Sequence, residues 1–260
     1  MIWLRVVLPL SAITVLLLVW QKGVAYYGLS SAILPAPTLI AQSLIDDWAL
    51  LSSALLHTAI ATYEAFALAA LIAIILSVLF VRSRLIEAIL SPFVVALQVT
   101  PVVAIAPLIL IWVGLDNVAR ALLILATIIA FFPMLSNTIL GLKSADHNLR
   151  DLMLLSRANS WQRLIYLEFP SAMPFILAGM KTSIGLALIG SVVAEFVAGS
   201  GTATGLAWVI LEAANRLESA RMFAALVLLS VFGLLNFLAI SAVQYLLLRR
   251  WHDSATSRER

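Results

Sequence analysis

The sequence predicts an all-α, polytopic membrane protein of about six transmembrane helices, and three observations carry that prediction. Of 260 residues, 63% are hydrophobic and only 11% charged, at a mean hydropathy of +1.08; a soluble domain carries about 25% charged residues. A water-soluble globule of this length lacks the interior to hide so much apolar side chain. The apolar residues also gather in runs near the ~20 residues that carry a helix across hydrocarbon, separated by short polar or basic stretches. A soluble enzyme, a nucleic-acid-binding domain and a disordered tail are excluded.

The first run, residues 6–20, follows Arg5 and precedes Gln21-Lys22. Gly23-Val24-Ala25 matches a leader cleavage site poorly, so this run is expected to persist as the first helix. Residues 58–81 form the second, stopped by Arg82-Ser83-Arg84. Residues 85–113 contain Pro92, Pro101 and Pro107, which predict a broken helix with a re-entrant turn. Residues 118–142 include Pro133; residues 175–196 and 222–248 complete the set, the last ending at Arg249-Arg250-Trp251. No internal repeat or low-complexity segment interrupts the chain. One domain over residues 1–260 is expected, with its core at about 57–248 and a polar tail at 253–260.

Six crossings put both termini on one side. With the N-terminus cytoplasmic, that side holds Arg5, Arg82, Arg84, Lys143, Arg150, Arg157, Arg163, Arg249, Arg250, Arg258 and Arg260, with Lys181 just inside the fifth helix. Only Lys22, Arg120, Arg216 and Arg221 lie outside, so twelve of the sixteen basic residues are cytoplasmic. The net charge of +3 thus needs no nucleic acid. The absence of cysteine excludes disulfides and thiolate chemistry, and His57, His147 and His252 are too scattered to suggest a metal site.

Ionisable groups within membrane helices are candidate functional groups, because a charge at the helix centre costs about 2.5–3.5 kcal/mol on insertion scales. Glu64 is expected one and a half turns into the second helix, either on a path or at the outer interface; Glu195 is expected near the outer end of the fifth, as a gate or a helix-end ion pair. Gln98 and Thr100 beside Pro101 suit either lining a path or satisfying backbone freed by the proline. Gly185 and Gly190 are expected to serve close helix packing. Arg216, Glu218 and Arg221 face outward in this topology, as a docking surface or a solvated loop.

The polar stretch at 143–174 is unusual in so apolar a chain. Within 151–167 apolar residues recur at near-helical spacing, interleaved with Arg150, Asp151, Ser156, Arg157, Asn159, Ser160, Gln162, Arg163 and Glu168. Short amphipathic helices at the membrane surface are expected, either as an interfacial anchor through Trp161 or as a docking surface. Pro170 and Pro174 are expected to break the chain before it re-enters the membrane.

Asp151-Leu152-Met153, three residues, Arg157, nine residues, and Leu167-Glu168-Phe169-Pro170 have the spacing of the EAA loop, E-A-A-x3-G-x9-I-x-L-P. Arg157 stands at its glycine, Leu152 and Met153 at two alanines, and Phe169 at its leucine. Leu34-Pro35-Ala36-Pro37 resembles "LPSP", and His57, Thr62-Tyr63-Glu64 and Phe66 resemble "H-x4-TL-x-E-x2-GF", with Ala65 in the glycine's place. Pro101 to Leu108 with Trp112-Val113-Gly114 resembles "P-x2-A-x2-PL-x3-WFG". Glu195 with Gly201, Gly205 and Leu206 resembles "E … G-x3-GLG". Together these resemble the permease subunits of bacterial ABC importers, the inner-membrane components of binding-protein-dependent transport systems, of the nitrate, sulfonate and taurine type.

The resemblance implies a type I importer permease fold with a cytoplasmic coupling helix in the inner membrane. Two copies would form the path for a small solute of the nitrate, sulfonate, taurine or thiamine-pyrimidine-precursor class. A periplasmic or lipid-anchored binding protein would deliver the solute. Separate cytoplasmic subunits would bind ATP-Mg and hydrolyse it, this chain having no Walker A pattern and no cofactor of its own. Asp151, Ser156, Arg157, Ala158, Asn159, Trp161, Gln162, Arg163 and Pro170 would couple to the ATPase, with Trp161 and Leu164 packing back onto the bundle. Glu64, Gln98, Thr100, Pro101 and Glu195 are the candidate path residues. The competing reading, an ion-coupled secondary transporter, calls for paired midplane charges and an inverted repeat, and neither is evident.

Overall fold

The computed structural model describes residues 2–114, 117–198 and 204–249, without the side chains of residues 2–6 and 198. Gly199, Gly201, Arg250, Arg258, Arg260 and the tail at 253–260 lie outside the described residues, as does the side chain of Arg5. The described chain is helical: α1 (Ile2–Tyr27), α2 (Pro37–Asp46), α3 (Trp48–Arg82), α4 (Arg84–Val99), α5 (Val102–Val113), α6 (Val118–Lys143), α7 (His147–Leu155), α8 (Ser160–Arg163), α9 (Phe169–Ala198), α10 (Leu206–Asn215) and α11 (Ser219–Leu248). A wide π-turn, Leu164–Glu168, joins α8 to α9 without a break.

Among the described residues, five helices are long and apolar enough to cross a membrane: α1, α3, α6, the continuous α8–α9 rod and α11. The pair α4 and α5 forms the sixth candidate, bent by 105°. The bend falls at Pro101, which cannot donate a backbone hydrogen bond. Thr100 closes the end of α4 twice onto Ala96, its amide donating at 3.1 Å and its hydroxyl at 2.7 Å to the same carbonyl. The expected broken helix is therefore present.

Two boundaries differ from expectation. α3 starts at Trp48, ten residues before the predicted start. Nothing in 48–57 breaks a helix, Ser53 returns its hydroxyl to the Leu50 carbonyl at 2.9 Å, and Leu51 and Ala54 are buried. Glu64 therefore lies sixteen residues into the helix rather than one and a half turns, about 24 Å along it. α9 begins at Phe169 and is not broken by Pro170 or Pro174. The Phe169 amide reaches back five residues to the Leu164 carbonyl, and this widened turn takes up the register where Pro170 supplies no donor. Lys181 consequently lies twelve residues into α9, a rise of about 18 Å.

The chain divides into two compact units. The first comprises residues 1–58 and 204–231. Its core joins Ile40, Leu51, Ala54, Leu206, Val209, Ile210, Ala224 and Ala225, with Trp20 and Phe223 stacked at a tilt 5.9 Å apart. Asp47, at the corner between α2 and α3, accepts from Arg221 Nη2 at 2.9 Å and from Nε at 3.0 Å; Arg221 also pairs with Glu218. The Arg221 hydrogen bond holds the Asp47 carboxyl below its ordinary value of 3.8, helped by Ser43 and opposed by partial burial.

The second unit comprises residues 59–203 and 232–260. Small residues let α6 and α9 approach closely. A Cβ on Gly141 would meet that of Phe175 at 2.7 Å and the Ala172 Cα at 3.0 Å, and one on Gly190 would meet the Ala126 Cα at 2.8 Å. Between them Ser183 donates to the Ala130 carbonyl. Gly185 behaves differently, with nothing within 4 Å of its notional Cβ, so of the two glycines expected to pack only Gly190 does. Five residues on a helix turn about 140° around the axis, so the pair cannot face one neighbour. α3 joins this seam through Ala65 and Ala69, packed with Ala126, Ala130 and Ala187, and through the buried Thr62–Ser191 hydrogen bond of 2.9 Å.

Candidate coupling element and membrane path

Beyond the end of α6 the chain builds a helix–turn–helix at one end of the second unit. Asp146 caps α7, accepting from the Asn148 amide at 2.7 Å. α7 ends in two backbone bonds: the Ala158 amide donates to Met153 and the Arg157 amide to Leu154, both at 2.9 Å. This is the Schellman arrangement, whose turning residue adopts a left-handed conformation and is usually glycine. Here it is Arg157, at φ +55°. The position at which the EAA pattern carries glycine is thus the one where the backbone asks for it. Ser156 closes the last turn, its hydroxyl donating to the Leu152 carbonyl at 2.9 Å.

Asn159 then opens α8 with a reciprocal cap. Its side chain accepts from the Gln162 amide and the Gln162 side chain accepts from the Asn159 amide, each at 2.8 Å. The exposed face of α7 and of this second segment carries Leu149, Leu152, Leu155, Trp161, Ile165 and Tyr166. Asp151 is exposed on α7. Trp161 is 67% exposed, so the expectation that it packs back onto the bundle fails. The cap fixes it in the first turn, which stands clear of the bundle; the apolar side turns inward only from Leu164, which is buried as expected, and Leu167.

The foot of the element is ionic. Glu168, 2% exposed, accepts from Arg82 Nη2 at 2.8 Å and from Arg163 Nε at 3.0 Å. Arg82 is the last residue of α3. A second pair, Lys143 to Glu87 at 2.7 Å, ties the end of α6 to the start of α4. Arg82, Lys143 and Arg163, assigned to one side of the membrane on charge alone, therefore gather at one end of this unit. The sequence shows Glu168 only as one polar residue of this stretch and gives no sign of its pairing. The only signal is an acid inside Leu-Ile-Tyr-Leu-Glu-Phe, and its partner on α3 is 86 residues away.

The candidate path residues do not form a single cluster. Gln98 and Pro101 are exposed at the α4–α5 bend, with Thr100 partly buried between them and its hydroxyl engaged by its own helix. Glu64 is exposed on α3. Glu195 is 4% exposed, one turn beyond Ser191, whose hydroxyl bonds to Thr62. Its neighbour Ala194 belongs to a core with Ala106, Ile109, Leu110, Ala121 and Leu125. Glu195 thus points into the bundle, whereas Glu64 and Gln98 point out of it. Among the described residues no group of three or more His, Asp or Glu is placed to hold a metal ion.

Residues 67–252 match the family of binding-protein-dependent transport system inner membrane components. The chain belongs to this family. It is 38% identical over 258 residues to the riboflavin transport system permease protein of Chloroflexus aurantiacus, covering 97% of this chain and 92% of the relative. It is 30% identical to a putative aliphatic sulfonates transport permease protein of Bacillus subtilis, over 92% of this chain and 86% of the relative. A nitrate import permease protein of Synechocystis is 26% identical over 89% of this chain and 85% of the relative. The fold resembles the crystal structure of an amino acid ABC transporter with histidines, with a TM-score of 0.65 over 80% of this chain and 97% of that one, at 17% identity. This permease subunit is a multi-pass inner-membrane component of an ABC importer, and its role is transport rather than catalysis.

Proposed function

We propose that this permease forms, with a second copy of itself, the membrane path of an importer for a small solute handed over by an external binding protein, and that residues 143–174 dock onto an ATP-hydrolysing subunit. The observation that carries the reading is the element from α7 to the π-turn. It exposes Leu155, Trp161, Ile165 and Tyr166 beside Asp151, Asn159 and Gln162, and anchors its other side through Leu164 and Glu168. An apolar face with a polar rim on a rigid, capped support suits a protein partner.

The same end gathers Arg82, Arg84, Lys143, Arg150, Arg157 and Arg163, so the positive-inside rule supports a cytoplasmic position for it, with both chain termini on that side. The outward Glu64, Gln98 and Pro101 are the path residues that a second copy would enclose; Thr100 shapes the bend beneath them, and the buried Glu195 is assigned to a gate. The relatives' names, riboflavin, aliphatic sulfonates and nitrate, support a small polar solute whose identity the binding protein sets. ATP and Mg²⁺ belong to the partner.

The test is purification of the tagged permease from its native membrane in mild detergent, with ATP hydrolysis assayed on the product. Recovery of an ATPase subunit at about one per permease, the ratio that symmetric pairing gives, supports the reading. A permease recovered alone, under conditions that retain other importer complexes, overturns it.

A further inference from the structure

The ion cluster at the foot of the docking element divides into a local bond and a long-range one. Arg163 lies five residues before Glu168 in the same element, and its bond to Oε1 braces the π-turn across one wide loop of backbone. Arg82 terminates α3, and its bond to Oε2 crosses between elements. Each carboxylate oxygen thus serves one guanidinium, with the Glu168 side chain 3% exposed.

The surroundings of this cluster are apolar. Leu164 packs with Ala73, Met134, Leu135, Leu142, Ala172 and Ile176, and Val78 and Val81 of α3 lie against the same group. Apolar contact of this kind is non-directional, so it holds two surfaces together without fixing their register. A charge-assisted hydrogen bond fixes distance and direction. Separation of Arg82 would leave one oxygen of the buried carboxylate without its charge-assisted partner, so slippage between the surfaces is costly.

We infer that Glu168 is a positioning residue that locks the ATPase-facing element to the end of α3, so that a displacement imposed on the exposed turn reaches α3 as rigid-body motion. Arg82 is the working partner in this lock and Arg163 keeps the π-turn in shape. The inference rests on the docking role given to residues 143–174. α3 also carries Glu64 and packs through Ala65, Ala69 and Thr62 onto α6 and α9, so the lock joins the docking element to a helix of the candidate path.

The chain contains no cysteine, so two spin labels can be introduced at Leu154→Cys, exposed on α7 apart from the docking residues named above, and at the exposed Leu71→Cys. The experiment uses the complete permease–ATPase complex in lipid nanodiscs, assembled with the labelled permease diluted in excess unlabelled chain so that complexes carry one labelled copy, and distance distributions are recorded without nucleotide and after trapping with ATP-Mg and vanadate. The lock predicts one narrow distribution whose mean differs by less than about 2 Å between the two states, the scale of shifts between packed helices. Glu168→Gln and Arg82→Gln should each broaden it at least about twofold and make it depend on nucleotide, as expected when a two-state contact loses its bias. Arg82→Lys, which keeps the charge, should restore the narrow distribution.

A narrow, nucleotide-independent distribution in both glutamine variants overturns the inference. Should Glu168→Gln fail to reach the membrane, Arg82→Gln carries the same comparison, since Arg82 is 20% exposed and its loss removes only one of two arginines. If no ATPase accompanies the labelled permease, the docking reading fails, and the inference falls with it. An ATPase-bearing complex with unaltered distances defeats the positioning role alone.

Discussion

The amide of Ala158 closes onto the carbonyl of Met153 at 2.9 Å, and that bond forces the residue between α7 and the next cap, Arg157, into left-handed backbone at φ +55°. The same device ends α10: the Glu218 amide reaches the Ala213 carbonyl at 2.8 Å and Leu217 takes φ +59°. Neither turn has the glycine that relieves such a conformation, which costs an L-residue about 1–2 kcal/mol.

Arg157→Gly is therefore expected to raise the stability of the permease by about 1 kcal/mol, while Arg157→Val lowers it, because a β-branched side chain fits left-handed backbone worst. Thermal unfolding of the detergent-solubilised subunit checks both. A lower midpoint for Arg157→Gly would show that the arginine contributes more through its side chain than the turn loses through its backbone.

Gly141 and Gly185 should respond oppositely to added bulk. Gly141→Val drives side chain into Phe175 and the Ala172 backbone and should cost about 1–3 kcal/mol, the usual penalty of overpacking. Gly185→Ala meets nothing within 4 Å of its new Cβ and should stabilise α9 by up to about 1 kcal/mol, the helix-propensity gain. The yield of folded protein and its thermal midpoint decide the comparison. If a second copy packs against Gly185, the alanine variant will lower the dimer fraction instead.

The crossings were legible because partition into hydrocarbon depends on local composition, and the broken third span because Pro101 removes a donor whatever its surroundings. What stayed hidden depends on residues far apart. α3 extends back to Trp48 because Leu51 and Ala54 bury against residues from α10 and α11, and nothing local announces that. The continuity of α8 and α9 rests on a π-turn that absorbs Pro170, whereas the two prolines read locally as a break. Trp161 looked like a membrane anchor by type, but the Asn159–Gln162 cap holds it clear of the bundle. Glu168 and Arg82 carry no shared motif, and their meeting is fixed by the packing of α3 against the foot of α9.

Acid should weaken the corner held by Asp47. Its carboxyl titrates below its ordinary value of 3.8 when folded, so the pair with Arg221 contributes in full above that pH and is lost as pH falls through the depressed folded value. With the two side chains 27% and 21% exposed, the contribution is expected to be about 1 kcal/mol or less. Thermal midpoints compared at pH 6 and at about pH 3, where acid titration of the pair is under way, should fall more for the parent than for Asp47→Asn. Parallel falls would mean that other carboxylates dominate the acid sensitivity.

Trp161→Ala and Arg157→Glu should weaken association with the ATPase subunit without changing which solute is carried. Trp161 is exposed on the apolar face. Removing such an aromatic anchor from a protein interface commonly costs about 2 kcal/mol or more, a loss of at least about thirtyfold in affinity at 1.4 kcal/mol per factor of ten. Quantified co-purification at matched expression is the measurement. Full recovery of the ATPase with both variants would move the docking surface toward Leu149 and Leu155 on α7.

Glu64→Ala and Gln98→Ala test the path rather than the docking surface. Both side chains are exposed in the single chain, on a helix interior and beside a 105° bend, where polar groups facing lipid would be unfavourable. A second copy enclosing a wet path removes that conflict, and lipid exposure does not. Each substitution is therefore expected to reduce uptake severalfold while ATPase recovery stays unchanged. Glu195→Gln should behave differently, because Glu195 is buried on α9 one turn beyond the Ser191 that bonds Thr62 of α3, so its loss should lower folded yield as well as uptake. Normal uptake in both exposed-residue variants, with a lowered yield for Glu195→Gln, would assign Glu195 to helix packing and place the path on residues other than Glu64 and Gln98.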